Sequence, residues 1–226
     1  MTAQPVWIAI AAYNEGSVIA GVIEGVRAAG YAVVAVDDGS ADETADAAER
    51  AGAAVVRHPI NLGQGAALQT GIEFALAAGA EIVVTFDADG QHRVSDVAVL
   101  TAALNAHNAD FALGSRFLGG TLNQPLSRRL VLRLATLFTR LSVGMNVTDT
   151  HNGLRAMTRR GAQRIKLRQN RMAHASEILH QVAQSGLPFV EVPVTIEYSA
   201  YSMAKGQKLT DALTILLDLF ARRLHR

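Results

Sequence analysis

Cysteine is absent from the 226 residues of the chain, and aromatic residues make up only 5% of it. Without cysteine there is neither a disulfide framework nor thiolate chemistry. A strong charge of either sign is also lacking, because the formal net charge is +1, so the composition predicts no general attraction to nucleic acid. Half of the residues are hydrophobic, which excludes a disordered chain and allows a substantial core.

Long hydrophobic runs are lacking as well. No segment approaches the roughly 18 consecutive apolar residues that span a bilayer. The first 15 residues contain no basic stretch and reach a polar turn after one short apolar run, which predicts a strand there rather than a signal peptide. We therefore expect a protein that is soluble or lies on a membrane surface, and the lack of cysteine is compatible with the cytoplasm.

Short apolar runs alternate with helical segments in the first half of the chain. The expected strands are Pro5–Ala12, Tyr31–Val36, Ala53–Arg57, Ile82–Phe86 and Asp110–Leu113, and the expected helices are Glu15–Ala29, Ala41–Ala51, Gly63–Ala78 and Val94–Asn105. This alternation is typical of βαβ units. It predicts an α/β fold with a Rossmann-like, mostly parallel central sheet flanked by helices.

Polar clusters follow three of the expected strands. They are Tyr13–Glu15, Asp37–Ser40 and Asp87–Gly90. In open parallel sheets ligands bind outside the C-terminal ends of the strands. We therefore expect the three clusters to lie along one edge of the sheet and to form a binding site there.

Asp87 and Asp89 are two carboxylates one residue apart, and the nearest basic residue in the sequence is Arg93. An EF-hand calcium loop is excluded, because its twelfth position would be Ala98 instead of glutamate. A phosphatase with an aspartate nucleophile remains as an alternative, although we expect that motif on the first strand and followed by threonine. If the aspartates served only to cap a helix N-terminus, one of the two would be explained and the other would not. The pattern favours a divalent metal ion whose coordination is completed by substrate phosphates.

The remaining motifs and the histidines give weaker indications of function. The Gly63–Leu68 segment lacks the third glycine of a dinucleotide fingerprint, so we interpret it as a glycine turn that opens a helix. No Gly-x-Ser-x-Gly sequence supports a serine nucleophile. Four histidines show no metal-ligand spacing and are expected at the surface or in the core: His58, His107, His174 and His180. His92 and His151 are ligand candidates, since they adjoin the acidic motifs.

Two amphipathic helices are expected in the second half, at 126–141 and 208–224. In the first, Arg129, Arg133 and Arg140 share one face and leucines occupy the other. Such a helix packs on the core or lies in a membrane interface. The second helix is apolar over most of its circumference, which predicts burial against the core, a partner or a bilayer surface.

Taken together, the motifs resemble a known family. They are Ala12–Glu15, Asp37–Ser40, Asp87–His92, Gly114–Arg116, Asp149–Arg155 and Tyr201–Lys208. From about Val6 to Leu213 the chain resembles the family 2 inverting glycosyltransferases, and within them the dolichyl-phosphate mannose synthase-like, or polyprenyl-phosphate glycosyltransferase, branch. The resemblance implies a glycosyltransferase-A fold, a GDP- or UDP-sugar donor and a Mg²⁺ or Mn²⁺ cofactor.

The resemblance also implies roles for individual residues. Asp89 and Arg116 would be the catalytic residues, and Asp87, Asp89 and Gln91 would hold the metal. The donor would be bound by Tyr13, Glu15, Asp37, Asp38, Asp87 and Gln91, and the acceptor by Arg116, Ser127, Arg128, Arg129, Arg155 and Lys205. The implied reaction moves a hexose to a polyprenyl phosphate for cell-envelope glycan synthesis.

A phosphate acceptor is mostly dianionic at neutral pH and needs cations rather than a general base. A glycan hydroxyl acceptor, which remains as an alternative, requires a base, with Glu177 the first candidate. A non-catalytic subunit that binds nucleotide sugars is the alternative from another class.

We expect one catalytic domain over residues 1–226, with a nucleotide-sugar-binding half at 1–115 and an acceptor-binding half at 116–226. The expected location is the cytoplasmic face of the membrane. There the membrane surface or a small membrane protein would be the partner, whereas the oligomeric state, a homo-oligomer included, is left open.

Overall fold

The apolar runs of the sequence form the strands of one seven-stranded sheet. The structure is a computed structural model that describes residues 4–122, 136, 140, 144–169, 173–198 and 201. Within these residues the strands are β1 (Val6–Ala12), β2 (Ala32–Asp37), β3 (Ala54–Arg57), β4 (Ile82–Asp87), β5 (Phe111–Leu122), β6 (Arg155–Thr158) and β7 (Phe189–Glu197). The helices are α1 (Ile19–Ala28), α2 (Thr44–Arg50), α3 (Gln64–Ala77), α4 (Val94–Ala106), α5 (Arg159–Ala162) and α6 (Ala173–Ser185).

The sheet has the strand order β3-β2-β1-β4-β6-β5-β7. β1 to β4 pair in parallel, β6 runs antiparallel to both of its neighbours, and β7 is parallel to β5. The expected mostly parallel sheet is therefore confirmed. Ala12 pairs with Asp37, and Ala11 pairs with Asp87. The three polar clusters consequently follow adjacent strand ends along one edge, as predicted.

Helices cover both faces of the sheet because successive residues of a strand point to opposite faces. On one face Ile8 and Ile10 pack in a buried cluster with residues of α1, α2 and α4. On the other face Ala9 packs with residues of α3 and α6. Strands that are buried on both faces have nearly continuous apolar sequences, which is why the first half of the chain could be assigned from composition.

Two helices begin later than the sequence predicts, at Ile19 instead of Glu15 and at Thr44 instead of Ala41. The residues between the predicted and the observed helix starts instead join the loop after β1 to the loop after β2. The backbone N–H of Glu15 donates to Thr44 Oγ1 at 2.8 Å, and the N–H of Ala41 donates to Asn14 Oδ1 at 2.9 Å. These cross-links hold the chain after β1 against the chain after β2.

The second half differs more from the prediction. β5 continues to Leu122, well beyond the expected end at Leu113, and pairs with β7 on both sides of a register shift between Ser115 and Gly120. β7 contains Pro193, which a strand tolerates at the edge of a sheet or at an irregularity. β6, β7, α5 and α6 were not predicted, because β6 and α5 have only four residues each and polar residues interrupt the apolar ones in β7 and α6.

Both predicted amphipathic helices lie largely outside the described residues. Of 126–141 the structure describes only Thr136 and Arg140, and 208–224 lies outside the described residues. In the part of the chain that is described, no helix has the length and apolarity needed to cross a membrane.

The sheet edge opposite the three polar clusters is held by Asp110, which is buried just before β5. Its carboxylate accepts hydrogen bonds from Arg160 Nε at 2.9 Å and from Thr158 Oγ1 at 2.6 Å. The hydrogen bond from Arg160 holds the pKa of Asp110 below its usual value, although burial acts in the opposite direction.

Replacement of this carboxylate should therefore reduce the free energy of unfolding by an amount that depends on pH. The lowered pKa means that Asp110 stabilises the folded state fully above its unfolded pKa of about 3.9 and progressively less as the pH falls toward the folded value. We expect Asp110→Asn to reduce the free energy of unfolding by about 1–3 kcal/mol at pH 7 and by much less at pH 3, measured by urea denaturation. Exposed Glu24→Gln is the control, and an equal loss at both pH values would contradict the assignment.

Candidate active site

A cavity of about 460 Å³ opens at the edge of the sheet where β2, β1 and β4 end. Tyr13, Glu15 and Asp38 line it on the side of β1 and β2. Asp87, Asp89, Gln91 and His92 line it at the end of β4, and Arg116, His151, Gly153, Arg155 and His174 line it on the side of β5 and β6. The structure thus brings together eight of the site residues predicted from the sequence, and His92 and His151 with them.

Asp87 and Asp89 stand at the centre of this arrangement. Asp87 is the last residue of β4, and Asp89 lies in the turn that follows, where its Oδ1 accepts the N–H of Gln91 at 3.1 Å. Burial, together with the negative charge of Asp87, raises the pKa of Asp89 to about 6. Burial acts in the same sense on Asp87, but the charge and hydrogen bond of His92 hold the pKa of Asp87 below its usual value.

His92 orients the carboxylate of Asp87. Its Nε2 lies 2.8 Å from Asp87 Oδ2, and its ring packs edge-on against Phe86 with the ring centroids 5.2 Å apart. Both contacts hold the imidazole beneath the carboxylate. His92, which was only a ligand candidate in the sequence, is therefore a cavity residue that positions an acid.

Gly153 supports the same carboxylate from the other side. A Cβ atom at this position would lie 2.3 Å and 2.4 Å from the two carboxylate oxygens of Asp87. The loop is held in place by Thr85 Oγ1, which donates to the carbonyl oxygen of Gly153 at 2.6 Å. A glycine is needed here because the backbone passes close to the acid.

These acids fit a hard divalent cation. Their oxygens are the ligands that Mg²⁺ and Mn²⁺ prefer, and burial together with the charge of Asp87 disfavours ionisation of Asp89, which a bound cation would offset. Within the described residues no group of three or more histidine and acidic side chains could hold a metal ion. An ion at this place would therefore take its other ligands from a substrate, as Mg²⁺ commonly does with phosphates.

Arg155 supplies a buried positive charge beside the acids. It begins β6 and is 4% exposed, and within the described residues its side chain makes one long hydrogen bond, from Nη2 to the carbonyl oxygen of Thr150 at 3.5 Å. Burial lowers the pKa of Arg155 to about 10, so the side chain is still protonated at pH 7. A buried guanidinium with so few partners is suited to bind an anion in the cavity.

Arg116 is held more tightly than the sequence suggests. Its Nε donates to Asp149 Oδ2 at 2.6 Å, its Nη1 to Tyr198 Oη at 2.9 Å, and its Nη2 to the carbonyl oxygen of His151 at 2.9 Å. Three of the five guanidinium N–H groups are therefore used within the protein, and two remain for a ligand. Asp149 and Tyr198, which orient Arg116, were not predicted.

His151 and His174 complete this wall. Burial and the neighbouring Arg116 lower the pKa of His151 to about 4, so its imidazole is neutral at pH 7, and its Nδ1 lies 2.7 Å from Thr150 Oγ1. His174 was expected at the surface or in the core, and it is buried beside the cavity. The wall on the side of β5 and β6 is thus cationic or neutral, with no acid among its described residues.

On the opposite side, Tyr13 is 45% exposed and Glu15 accepts a hydrogen bond from Tyr201 Oη at 2.7 Å. Asp38 reaches the cavity, whereas Asp37 is not among its described lining residues and accepts the N–H of Ser40 at 3.1 Å. Of the predicted acceptor residues, Ser127, Arg128, Arg129 and Lys205 lie outside the described residues.

Glu177, the candidate base for a hydroxyl acceptor, is not among the described lining residues of the cavity. Its Oε2 accepts the N–H groups of Arg168 and Gln169 at 3.0 Å and 2.8 Å. Its Oε1 accepts from the N–H of Arg168 and from Gln181 Nε2. Both oxygens of Glu177 therefore serve the loop that precedes α6.

Comparison with known proteins places this geometry in a family. The sequence model of "Glycosyl transferase family 2" matches residues 7–166. A UDP-N-acetylglucosamine–dolichyl-phosphate N-acetylglucosaminyltransferase of Methanococcus voltae is 30% identical over 236 residues, which cover 95% of this chain and 94% of the relative. A polyprenol monophosphomannose synthase of Mycolicibacterium smegmatis is 30% identical over 194 residues, which cover 80% and 73%.

A solved structure shares the fold. It is glucosyl-3-phosphoglycerate synthase from Mycobacterium tuberculosis in complex with Mn²⁺, UDP-glucose and phosphoglyceric acid. Its TM-score is 0.73 at 18% sequence identity, over 97% of this chain and 79% of that one. The predicted glycosyltransferase-A fold is confirmed by this likeness, and the predicted enzyme class, a glycosyltransferase, is confirmed by the family.

The buried pair of Arg116 and Asp149 yields a stability prediction. Asp149→Ala should reduce the free energy of unfolding by about 3–5 kcal/mol, because it leaves Arg116 buried without its counter-ion. Chemical denaturation at pH 7 measures the loss.

Glu197→Ala is the matched control, since it removes the acid of the solvent-exposed ion pair with Arg93 and should cost about 1 kcal/mol or less. If the two substitutions reduce the free energy of unfolding equally, Asp149 does not compensate the buried charge of Arg116.

Proposed function

The chain belongs to glycosyl transferase family 2, and we propose that it transfers a hexose from a nucleoside-diphosphate sugar to a polyprenyl phosphate. One observation carries this proposal: a single cavity has a pair of carboxylates at its centre and two buried guanidinium groups on one side. The carboxylates suit a cation that accompanies a diphosphate, and the guanidinium groups suit a second anion. The two relatives named above, which act on dolichyl and polyprenol phosphates by their names, support a lipid phosphate as that anion.

The donor lies, in this proposal, on the side of β2, β1 and β4. Asp87 and Asp89 hold the cation, with Gln91 nearby, and His92 keeps the carboxylate of Asp87 in place. The cation, Mg²⁺ or Mn²⁺, supplies stabilisation of the negative charge that develops on the leaving diphosphate. The residues up to 115 therefore form the donor-binding half.

The acceptor phosphate lies between Arg155 and the two remaining N–H groups of Arg116. One of its oxygens attacks the anomeric carbon and forms the new C–O bond, while the bond from that carbon to the diphosphate oxygen breaks and the nucleoside diphosphate leaves with the electron pair. This single displacement inverts the anomeric configuration and has an oxocarbenium-like transition state. Because the phosphate is mostly dianionic at pH 7, no proton has to be removed from it.

On the side of β5 and β6 no acid is among the described lining residues, and Asp149 is bound to Arg116, which supports a phosphate over a hydroxyl acceptor. A hydroxyl needs a base within hydrogen-bond reach, and Glu177 is engaged by backbone N–H groups elsewhere. Attachment to the cytoplasmic membrane face, directly or through a small membrane protein, is a further part of the proposal that involves the segments 126–141 and 208–224.

The proposal is tested by incubation of the protein with Mn²⁺, a polyprenyl phosphate and a panel of UDP- and GDP-sugars. We expect a glycosyl phospholipid, detected by mass spectrometry, that does not form with excess chelator. Asp89→Ala should lower the rate at least about a hundredfold with an unchanged thermal unfolding transition. Release of free phosphate from the lipid, or full activity with chelator, would refute the assignment.

The contact between Gly153 and Asp87 makes a second, more local test. Gly153→Ala should lower the transfer rate at least about tenfold, because the added methyl group must displace the carboxylate that binds the cation. Steady-state kinetics measure the effect.

Gly21→Ala in α1 is the matched control, since a Cβ there meets no atom within 4 Å. It should leave activity unchanged and stabilise the protein by up to about 1 kcal/mol. Full activity of Gly153→Ala would show that the carboxylate position is not critical.

A further inference from the structure

The described walls of the cavity offer binding groups for a phosphate and little surface for a lipid chain. Arg116, His151 and Arg155 line the acceptor side, and all three carry nitrogen atoms that can bind an anion. Among the described lining residues the large aliphatic side chains are Leu68 and Ile196, which are only 4% and 2% exposed. A hydrocarbon chain is stabilised by the apolar area that it buries, and these walls present very little of it.

The groups on the acceptor side are fixed by the protein itself. The guanidinium of Arg116 is held by three hydrogen bonds. The backbone N–H of His151 donates to Asp149 Oδ1 at 3.2 Å, and its carbonyl oxygen accepts from Arg116. Its Nδ1 lies 2.7 Å from Thr150 Oγ1, which leaves Nε2 as its one polar atom without a partner among the described residues. A site that is already in place does not depend on the rest of the acceptor to organise it.

The lipid takes no part in the bonds that form and break in the proposed reaction, because the reacting atom of the acceptor is a phosphate oxygen. Short phosphate monoesters have the same charge as a lipid phosphate at pH 7. Inorganic phosphate has the same tetrahedral oxygens on a smaller ion. Both therefore fit wherever the head of a lipid phosphate fits.

We propose that this protein has a second activity, the transfer of the hexose to inorganic phosphate and to short-chain phosphate monoesters. The inference rests on the function proposed above and widens its acceptor class. An oxygen of the phosphate forms a bond to the anomeric carbon, while the bond from that carbon to the diphosphate breaks. The electron pair leaves with the nucleoside diphosphate. With inorganic phosphate the other product is a sugar 1-phosphate of inverted configuration.

The lipid then acts on acceptor binding rather than on the chemical step. A protein attached to a membrane meets an acceptor in the same membrane at a raised local concentration, and a soluble phosphate lacks this advantage. Binding that is equal in the ground state and the transition state changes KM without changing kcat. We expect the KM for inorganic phosphate to be at least about a hundredfold higher than that for polyprenyl phosphate, with kcat values within about tenfold of each other.

The test is incubation of the protein with Mg²⁺, a panel of UDP- and GDP-sugars, and one of three acceptors: inorganic phosphate, ethyl phosphate or polyprenyl phosphate. Phosphorus NMR detects a sugar 1-phosphate, and proton NMR gives its anomeric configuration. A contaminating pyrophosphatase also releases a sugar 1-phosphate, but with the configuration of the donor and with a nucleoside monophosphate as the other product. The expected result is the inverted sugar 1-phosphate together with a nucleoside diphosphate.

Formation of a glycosyl phospholipid without any product from ethyl phosphate or inorganic phosphate would overturn the inference and leave the proposed function standing. Free sugar in place of the sugar 1-phosphate would also overturn it, since water rather than phosphate would then be the acceptor. No transfer to any of the three phosphates would refute the proposed function itself, which keeps the two failures distinguishable.

Substitution of Arg155 tests whether the soluble and the lipid acceptors use one site. Arg155→Gln should lower kcat/KM for inorganic phosphate and for polyprenyl phosphate by the same factor, at least about tenfold, because both lose the same charged donor. Arg164→Gln is the control, since it removes an exposed guanidinium and should change neither value.

A loss that is confined to the lipid acceptor contradicts the inference. If Arg155→Gln does not fold, competition in the unaltered protein decides. Inorganic phosphate should then inhibit glycosyl transfer to polyprenyl phosphate competitively with the lipid, and the absence of such inhibition would overturn the inference.

Discussion

The parallel register of β2, β1 and β4 is the constraint on which the candidate site depends. Because Ala12 pairs with Asp37 and Ala11 with Asp87, the chain turns after all three strands open at the same edge and nearly the same height. Each turn adds short polar side chains whose positions follow from the backbone. The site is thus made of loop residues, but its dimensions are those of the sheet.

A second constraint is the compensation of charge in the interior. Arg116 satisfies it within the protein through Asp149, with three guanidinium N–H groups bonded. Arg155 and the acid pair satisfy it only in part, as the lowered pKa of Arg155 and the raised pKa of Asp89 show. The protein therefore keeps some of its buried charge in a state that favours ligand binding over stability. This combination is common where a site must hold charged substrates.

The predictability of this molecule from its sequence differs between its halves for physical reasons. Strands buried on both faces have distinctive apolar runs, so β1, β2 and β4 and the acids that follow them were assigned. Asp149 was not recognised as the partner of Arg116, because the two are 33 residues apart and no local periodicity connects them. His58 was considered only for metal-ligand spacing in the sequence. Its hydrogen bond to Asp38 was missed because the two residues are 20 positions apart. β6 was missed because it has only four residues and begins with a buried arginine.

The acids line the cavity at the ends of β2, β1 and β4, and the guanidinium groups line it on the side of β5 and β6. In a cleft with walls of low dielectric constant, this separation creates an electric field directed along the row of strand ends. A molecule with a cation at one end and an anion at the other experiences a torque in that field before it touches any side chain. Its approach is therefore oriented over a distance that dissolved salt sets, about 8 Å at physiological ionic strength.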